Sequence, residues 1–371
     1  MPLIAFLVVF GVGEVIETLL SQIVLIKVDF PTDGRPITAV VAHFVMAESI
    51  TVWSEKNNAW PLCGVFISMK KIFVVFLVSS FLFTSCPVDL SLSEKEDSIV
   101  ICSWNVQNLF DGVDNGNEYE EFLTSSGWND KQYRVRLAKI ETVFGYGELS
   151  SASIVVLNEV ENEGVVQDIL SLSSFKKRGF SYFACAGEEG GAIRIAVISR
   201  YPIVSAFVHS SVGMRPVLEV NFNFSGQRLC VLAVHAKSNL GDQEENISLR
   251  AKTGEIIGGV ASSVQSEDPG AVIAVAGDYN ECAGDGNVLR GDQSWYVFWE
   301  DQSLSLSAPG SYRYNGQWFT YDNIALSRAA VDAGVESGGI LSTIYGYPDS
   351  FSSRLLSGVS DHFPVWVRLE L

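Results

Sequence analysis

The chain has 371 residues, of which 47% are hydrophobic, 11% aromatic and 18% charged, a composition typical of a globular protein. Its formal net charge of −18 excludes strong binding of a polyanion through overall charge, so a nucleic-acid or phospholipid substrate would require divalent metal or a local basic patch. Acidic residues also keep proteins soluble, and this simpler interpretation of the charge stays open.

An export signal is predicted at residues 69–86, MKKIFVVFLVSSFLFTSC. Two lysines follow Met69, and an apolar stretch too short to span a bilayer leads to small residues before Cys86. The ending resembles a bacterial lipoprotein lipobox, although Phe83 stands where leucine is usual. That resemblance implies a lipid anchor on Cys86 and a location outside the cytoplasmic membrane, in the periplasm or at the cell surface. A buried or membrane helix that ends in cysteine is the alternative.

The position of this signal is unusual, because an export signal belongs at an N-terminus and residues 1–68 precede it. We therefore expect Met69 to be the native start and residues 1–68 to be an extension from a misassigned start codon. The alternative is a membrane segment near residues 2–26, but two glutamates inside it would be costly in lipid. Residues 87–97 are predicted to be a linker.

One domain is predicted over residues 98–371, because no internal repeat or linker interrupts them. Apolar runs predict strands at residues 98–103, 154–157, 180–184, 193–199, 217–224, 229–234, 271–277, 323–326 and 365–371. Helices are predicted from about residue 130, over residues 165–172 and over residues 243–264. Strands of both hairpin and helix-separated kinds indicate a mixed α/β layered domain.

Polar residues stand at the ends of six of these apolar runs. Asp278 and Asn280 follow the run AVIAVAG, and two residues that far apart on an extended segment point to the same side. The other endings carry Asn105, Glu159, His235, Asp322 and the pair Asp361–His362. Each has an ordinary explanation as a cap or a structural histidine. If the strands are neighbours, however, all of them converge on one rim.

Three of these residues offer oxygen ligands for a metal. The carboxylates of Glu159 and Asp361 and the amide of Asn105 suit Mg²⁺ or Mn²⁺ better than zinc. The cysteines outside the export signal show no CxxC spacing, so no zinc site is indicated.

The remaining five suit phosphoester hydrolysis. His235 and His362 can contact phosphate oxygens or stabilise developing charge, and Asp322 can orient one imidazole and keep it protonated. Asp278 is then available as a general base for water, with Asn280 holding that water or the phosphate.

The motifs WNVQNL, LNEVEN, VHAKSN, AGDYNE, YDNIALS and SDHFPV resemble, in this order, those of the endonuclease/exonuclease/phosphatase superfamily. This superfamily includes deoxyribonuclease I, exonuclease III-type repair nucleases, neutral sphingomyelinases and inositol-polyphosphate 5-phosphatases. The resemblance covers about residues 98–371, and GDYN followed far downstream by SDH is its most specific part. It implies a four-layer α/β sandwich of the deoxyribonuclease I kind, with two packed β-sheets flanked by helices.

The resemblance also implies roles for the site residues. It gives metal binding to Asn105, Glu159 and Asp361, and it makes Asp278 the aspartate that aligns or deprotonates the attacking water. Asn280 becomes a transition-state partner, and His362 paired with Asp322 stabilises the phosphoryl charge. His235 takes the second-histidine position of the deoxyribonuclease-like branch. The usual Arg-(Ile/Leu)-Asp-Tyr reads Thr-Tyr-Asp-Asn around Asp322, a departure that concerns substrate contacts more than the chemistry.

Substrate contacts are harder to assign. Asn108, Arg194, Lys237 and Ser238 are candidates, although each is equally well explained as a surface charge or a strand-end cap. Residues 309–321, PGSYRYNGQWFTY, are rich in aromatics and could stack on bases, cover the site or form a packed loop.

The leading hypothesis is a metal-dependent phosphodiester hydrolase that acts as a nuclease on DNA or RNA, with Mg²⁺ or Mn²⁺ as cofactor and a monomeric chain tethered to a bacterial membrane. A sphingomyelinase-like or inositol-phosphate phosphoesterase is the enzymatic alternative. A surface-binding lipoprotein that has lost catalysis is the alternative of another class.

Overall fold

The computed structural model describes residues 98–211, 213–290, 294–301, 304, 306–342 and 349–371, together with the segments 8–10, 50–57, 60–69 and 72–79. The chain divides into two units, Met1–Leu92 and Ser93–Leu371. None of the helices in the described part of the chain combines the length and apolar character that a bilayer span requires.

The described segments of the first unit form an antiparallel sheet. Its strands are β1 (Val8–Phe10), β2 (Ile50–Asn57), β3 (Trp60–Met69) and β4 (Ile72–Ser79), and their order is β1–β4–β3–β2. The predicted export signal begins at the last residue of β3 and includes β4, whereas Cys86 lies outside the described residues. Lipidation of Cys86 and the non-native origin of residues 1–68 stay predictions.

The second unit contains the domain predicted from the apolar runs. In chain order, its described strands are β5 (Ile99–Leu109), β6 (Ile154–Val160), β7 (Tyr182–Gly187), β8 (Arg194–Ser199), β9 (Ser205–His209), β10 (Val217–Phe224), β11 (Gln227–His235), β12 (Val272–Asp278), β13 (Tyr296–Val297), β14 (Tyr312–Tyr314), β15 (Gln317–Phe319), β16 (Asp322–Leu326), β17 (Val335–Ile340) and β18 (Val365–Leu369).

These strands form two mixed sheets and a separate hairpin of β14 and β15. Among the described residues, the first sheet has the order β17–β18–β5–β6–β8–β7 and the second has the order β13–β16–β12–β11–β10–β9. The pairs β5–β6 and β11–β12 are parallel, and the other pairs are antiparallel. Each parallel pair requires a crossover connection, and a helix follows both β5 and β11 along the chain.

The helices of this unit are α1 (Asp130–Val143), α2 (Glu163–Ser171), α3 (Ser173–Lys177), α4 (Gln243–Glu267) and α5 (Arg328–Gly334). The helix predicted near residue 130 is confirmed as α1. It begins there because the Asn129 side chain caps it by accepting a hydrogen bond from the Lys131 N–H. Asp242 caps α4 in the same way through the Glu245 N–H.

Four layers result from burying both faces of each sheet. In β11, Leu229 and Val231 belong to the core between the sheets, whereas Cys230 and Leu232 pack in a cluster with Ile257 of α4. A third cluster joins the outer face of the first sheet to α1, α2 and α3. Strands buried on both faces read as continuous apolar runs, which is why the sequence predicted them well. The four-layer α/β sandwich is therefore confirmed.

The carboxyl ends of the parallel strands position the site. At the end of β12, Gly277 has φ 151°, and a Cβ there would lie 1.8 Å from the Val234 carbonyl oxygen of β11. Only glycine fits this close approach. The strands β9 and β17 and the hairpin of β14 and β15 were not predicted, because they are short or rich in polar residues.

Candidate active site

Eight predicted polar residues come together at one end of the two sheets, each within 3.9 Å of another member. They are Asn105, Glu159, His235, Asp278, Asn280, Asp322, Asp361 and His362. Strand register explains part of this convergence, because His235 lies opposite Asp278, and Asp278 lies opposite Asp322. The rim expected from the sequence therefore exists.

Asp278 lies at the centre of the site and is 1% exposed. Its Oδ2 accepts a hydrogen bond from Asn105 Nδ2 at 3.0 Å, and its Oδ1 accepts one from the Asn280 N–H at 2.8 Å. The same Oδ2 is 3.8 Å from His235 Nε2 and 3.9 Å from His362 Nε2. Burial raises the pKa of Asp278 to about 7 even though the nearby His362 favours its carboxylate.

Asn158 holds Asp278 in place and was not predicted as a site residue. Its Oδ1 accepts a hydrogen bond from the Asp278 N–H at 3.1 Å, and its Nδ2 donates to the Val234 carbonyl at 2.8 Å. This amide therefore joins the first sheet to the second directly beneath the site. An asparagine at the end of the apolar run IVVLN was the available signal.

His362 and Asp322 form a buried pair. His362 Nδ1 lies 2.7 Å from Asp322 Oδ2, and Asp322 is fully buried. Burial works to lower the pKa of His362, but the carboxylates of Asp322 and Asp278 hold it well above the usual value. We infer that His362 is an imidazolium at neutral pH.

His235 lies on the other side of Asp278 in a contrasting environment. Burial lowers its pKa well below the usual value, and the positive charges of Arg215 and His362 lower it further. His235 is therefore a neutral imidazole at neutral pH. The two histidines of the site differ in charge although both lie within 4 Å of one carboxylate oxygen.

Glu159 faces Asp278 from the first sheet. Its Oε1 accepts a hydrogen bond from Asn105 Nδ2 at 2.9 Å, and its Oε2 accepts one from the Asn108 N–H at 2.8 Å. Burial raises the pKa of Glu159, and the carboxylate of Asp361 raises it as well. Asn108 therefore belongs to the site through its backbone.

Asp361 is positioned by Gln107, a residue near the end of β5 that was not predicted as a site residue. The Asp361 N–H donates to Gln107 Oε1 at 3.1 Å. The buried Arg136 of α1 donates to the carbonyls of Val106, Gln107 and Val359. Arg136 thus ties the segment after Asn105 to the segment before Asp361. A single arginine on an amphipathic helix gave no signal of this role.

The donor set on this side of the site fits a hard divalent cation. Glu159 and Asp361 supply carboxylate oxygens, and each raises the electrostatic cost of the other unless a cation lies between them. Asn105 turns its Nδ2 toward Glu159 and Asp278, while its Oδ1 accepts from the Gln107 N–H at 2.9 Å. Asn105 therefore orients the carboxylates here, and direct ligation by it stays a prediction.

A second possible cation group consists of Asp278, Asp322 and His362, whose ligand atoms lie within 4.8 Å of one another. His362 Nδ1 and Asp322 Oδ2 already form an ion pair at 2.7 Å, although Asp322 Oδ1 has no hydrogen-bond partner among the described residues. The oxygen set of Glu159 and Asp361 is therefore the better match for Mg²⁺ or Mn²⁺.

The ends of β5 and β6 and the loop after β12 contain strained backbone at the site. Four of the seven non-glycine residues with positive φ in the described part of the chain lie here, namely Gln107, Asn108, Glu159 and Asn280, at φ between 52° and 65°. Glu159 also lies at a register shift between β6 and β8. Such conformations persist where surrounding contacts enforce them, as they do at functional sites.

Of the remaining substrate candidates, Lys237 lines a cavity. Arg194 pairs with Val160 at the start of β8, and Ser238 is half-buried in the turn after His235. Within the described part of the chain, neither Arg194 nor Ser238 forms a hydrogen bond with the eight site residues. Their role in substrate binding stays a prediction.

The cavity has a volume of about 290 Å³ and is lined by both signs of charge, with Arg215 and Lys237 on one hand and Glu188 and Glu245 on the other. Arg215 was not predicted, because a lone arginine between two strands carries no motif. Its Nη1 donates to the Ala236 carbonyl at 3.0 Å, which brings its charge close to the site.

A buried ion pair supports the Asn280 side of the site. Arg250 Nε lies 3.3 Å from Glu281 Oε2, and Arg250 Nη1 donates to Asn239 Oδ1 at 3.2 Å. Asn239 Nδ2 in turn donates to the Asn280 carbonyl at 2.8 Å. Glu281, the residue after GDYN, thus helps to position Asn280 through Arg250 and Asn239.

Comparisons with known proteins agree with this geometry. A family model described as Endonuclease/Exonuclease/phosphatase family matches residues 100–371. Truncated TDP2 from Caenorhabditis elegans is 15% identical, with a TM-score of 0.50 over 74% of this chain and 98% of that chain. D. rerio TDP2 humanized by 14 mutations is 16% identical, with a TM-score of 0.51 over 74% of this chain and 100% of that chain.

At these identities the structural likeness concerns the fold alone. The comparison with curated proteins finds no match. The family match runs from the second residue of β5 to residue 371 and includes all eight site residues. The chain therefore belongs to the endonuclease/exonuclease/phosphatase family.

Proposed function

We propose that this protein is a metal-dependent phosphodiesterase that cleaves nucleic acid. The observation that carries the proposal is the position of Asp278, a buried carboxylate held by Asn105 and Asn280 and placed within 4 Å of two imidazoles. A base flanked by hydrogen-bond donors and by a cation suits attack of water on a phosphodiester.

Asp278 acts as the general base in this proposal. Its pKa of about 7, raised by burial, allows it to accept a proton from water near neutral pH. The Asn105 and Asn280 hydrogen bonds fix the orientation of its two oxygens.

The two histidines have different tasks. His362, an imidazolium paired with Asp322, donates Nε2–H to a phosphoryl oxygen and stabilises the charge that develops there. His235, a neutral imidazole, offers a hydrogen bond without adding charge. Environments that separate the pKa values of two like groups are a sign of divided acid and base roles.

Mg²⁺ or Mn²⁺ would be held by Glu159 and Asp361, with Asn105 orienting the Glu159 carboxylate. When bound, such an ion polarises a phosphoryl oxygen. The hydrogen bonds from Asn105 and from the Asn108 N–H keep Glu159 directed into the site.

We further propose that the protein is exported and anchored through Cys86, and that Met69 is the native start. The sequence of residues 69–86 supports both ideas. Intact-mass analysis of the native protein tests them, and a mature species that retains residues 1–68 or lacks lipid on Cys86 contradicts them.

The catalytic proposal is tested with purified full-length protein on single-stranded DNA, duplex DNA, RNA and phospholipid vesicles, with Mg²⁺, Mn²⁺ or EDTA. We expect nucleic-acid cleavage that requires metal and is lost in Asp278→Asn. Asp332→Asn, at an exposed carboxylate paired with Arg328 on α5, is the matched control and retains wild-type rates.

Hydrolysis that survives in EDTA or in Asp278→Asn contradicts the mechanism. Release of a soluble head group from vesicles while nucleic acid stays intact selects the lipid-directed alternative. Absence of metal-dependent hydrolysis of every phosphoester supports the non-catalytic one.

A further inference from the structure

The hairpin of β14 and β15 is an aromatic element that the catalytic roles leave unexplained. It turns at Asn315 and Gly316, which have φ values of 49° and 81°. Two successive positive values are typical of the tight turn that Asn-Gly favours in a hairpin. Successive residues of its two strands face opposite sides of the hairpin.

One side of the hairpin is anchored in the fold. Trp318 stacks on Phe363 with ring centroids 6.0 Å apart, and the Arg313 guanidinium lies 5.6 Å from the Trp318 ring centre. Trp318 also packs against the core between the sheets. This contact holds the hairpin beside the segment that contains His362.

The opposite side carries four neighbouring rings, Tyr312, Tyr314, Phe319 and Tyr321, which we call the aromatic face. The rings of Tyr312 and Tyr314 lie 7° from parallel, with centroids 6.5 Å apart, and those of Tyr312 and Tyr321 lie 17° from parallel at 5.3 Å. Phe319 and Tyr321 are 5.0 Å apart. Tyr314, at the outer end, is 58% exposed.

The aromatic face is continuous with the catalytic residues. The Tyr312 ring centroid lies 4.6 Å from that of His362. The Tyr321 hydroxyl accepts a hydrogen bond at 3.2 Å from Asn239, the same amide that donates to the Asn280 carbonyl. The row of rings therefore begins at the catalytic imidazole and ends at an exposed tyrosine.

We propose that the aromatic face stacks against an unpaired base of a single-stranded nucleic acid, next to the phosphodiester that is cleaved. The proposal rests on the proposed function and specifies its substrate class. Stacking on tyrosine requires the flat face of a base, which a paired and stacked duplex does not offer, so single strands and unpaired ends are preferred.

The charge of the chain favours this kind of recognition. With a net charge of −18, the protein gains little affinity from phosphate contacts, which dominate in basic nucleic-acid-binding proteins. Base stacking does not depend on charge and can supply the missing affinity.

The composition of the hairpin argues against a lipid surface as the occupant. Its tip consists of Asn315, Gly316 and Gln317, which carry no apolar side chain. An element that inserts into the acyl region of a bilayer does so through apolar side chains.

The test compares a single-stranded oligonucleotide with the same strand carrying base-free residues on both sides of the cleaved linkage. For each variant of the full chain, kcat/KM with metal and Kd in EDTA by fluorescence anisotropy are measured, and the base-containing to base-free ratio is taken. The variants are Tyr314→Ala, Tyr314→Phe and, as matched control, Tyr146→Ala, which removes a tyrosine that is 50% exposed and follows α1.

We expect Tyr314→Ala to lower the kcat/KM ratio by about tenfold and to raise the Kd ratio by about tenfold, while Tyr314→Phe and Tyr146→Ala keep the wild-type values. If the protein cleaves the strand but neither ratio changes in Tyr314→Ala, base stacking on the aromatic face is contradicted and the proposed function is left intact. Absence of cleavage together with a Tyr314-dependent binding ratio supports the aromatic face and contradicts the proposed function. Loss of vesicle binding in Tyr314→Ala with unchanged ratios overturns the proposal in favour of a lipid surface.

Discussion

The middle of β12 and its carboxyl end differ in chemistry, although both are buried. Residues 272–276 are apolar and fully buried, and their side chains pack alternately in the core between the sheets and in the cluster with α4. Two positions farther on, Asp278 is a carboxylate that is 1% exposed. The neighbouring strand β11 shows the same change from its apolar middle to His235.

The same strands therefore stabilise the fold through their middle residues and carry the catalytic groups at their ends. Apolar burial stabilises the middle. At the ends, burial raises the pKa of Asp278 and Glu159, and four residues of the site, Glu159 among them, have positive φ. The rim is therefore costly to form, and the apolar layers offset that cost. Changes at the two levels should have separable effects on activity and on stability.

The largest effect is expected at the rim. Asp322→Asn keeps the shape of the side chain but removes the charge that holds His362 protonated. We expect kcat/KM to fall about 10³-fold, equivalent to about 4 kcal/mol, with little change in the unfolding midpoint. Steady-state kinetics and thermal unfolding of the same preparation measure both, and a stable variant with near wild-type activity contradicts the role of the pair.

In the core between the sheets, the reverse is expected. Phe222→Ala removes a ring that is 1% exposed in β10, next to the edge strand β9. We expect the free energy of unfolding to fall by about 3 kcal/mol, at the lower end for such changes because a site near an edge can partly collapse. Urea unfolding measures this loss. The kcat of the folded fraction should stay unchanged. A large drop in kcat would contradict the claim that the core affects stability and the rim affects activity.

Metal binding at the rim should stabilise the folded state. We expect Mg²⁺ at about 100 times its Kd to add about 2.7 kcal/mol to the free energy of unfolding, because it binds the folded state. In Glu159→Gln this gain should largely disappear, since one of the two proposed carboxylate ligands loses its charge. Unfolding with Mg²⁺ and with EDTA provides the comparison, and equal gains in both proteins place the ion elsewhere.

The smallest effect concerns Glu161, two residues beyond Glu159. It is 5% exposed, its Oε1 has no hydrogen-bond donor among the described residues, and burial with the nearby carboxylates of Asp111 and Glu118 raises its pKa to about 7. Because the folded state binds this proton more tightly than the unfolded chain, the stability contribution is complete below about pH 4.5 and is lost as the pH rises through 7.

Glu161→Gln should therefore raise the free energy of unfolding by roughly 1 to 2 kcal/mol at pH 8 and by much less at pH 4.5. Urea unfolding at the two pH values measures the difference. A gain that does not depend on pH would assign it to packing instead of charge.

Local patterns were sufficient for most of the fold. The apolar run at residues 217–224 coincides with β10, and the helix predicted over residues 243–264 appears as α4 with three further residues. Both were predicted from the residues of a single segment. β9 lacks such a pattern, because its adjacent residues Phe207 and Val208 point to opposite faces of the strand and both are exposed.

The sequence by itself determined which residue types reach the rim, because an apolar run that ends in Asp278 or His235 brings a polar side chain to a strand end whatever its neighbours are. Only the tertiary structure decided the partners. Asn105 bridges Asp278 and Glu159, and the first of these contacts joins residues 173 positions apart. Such contacts depend on sheet order and register, which involve segments distant in the chain and leave no local pattern.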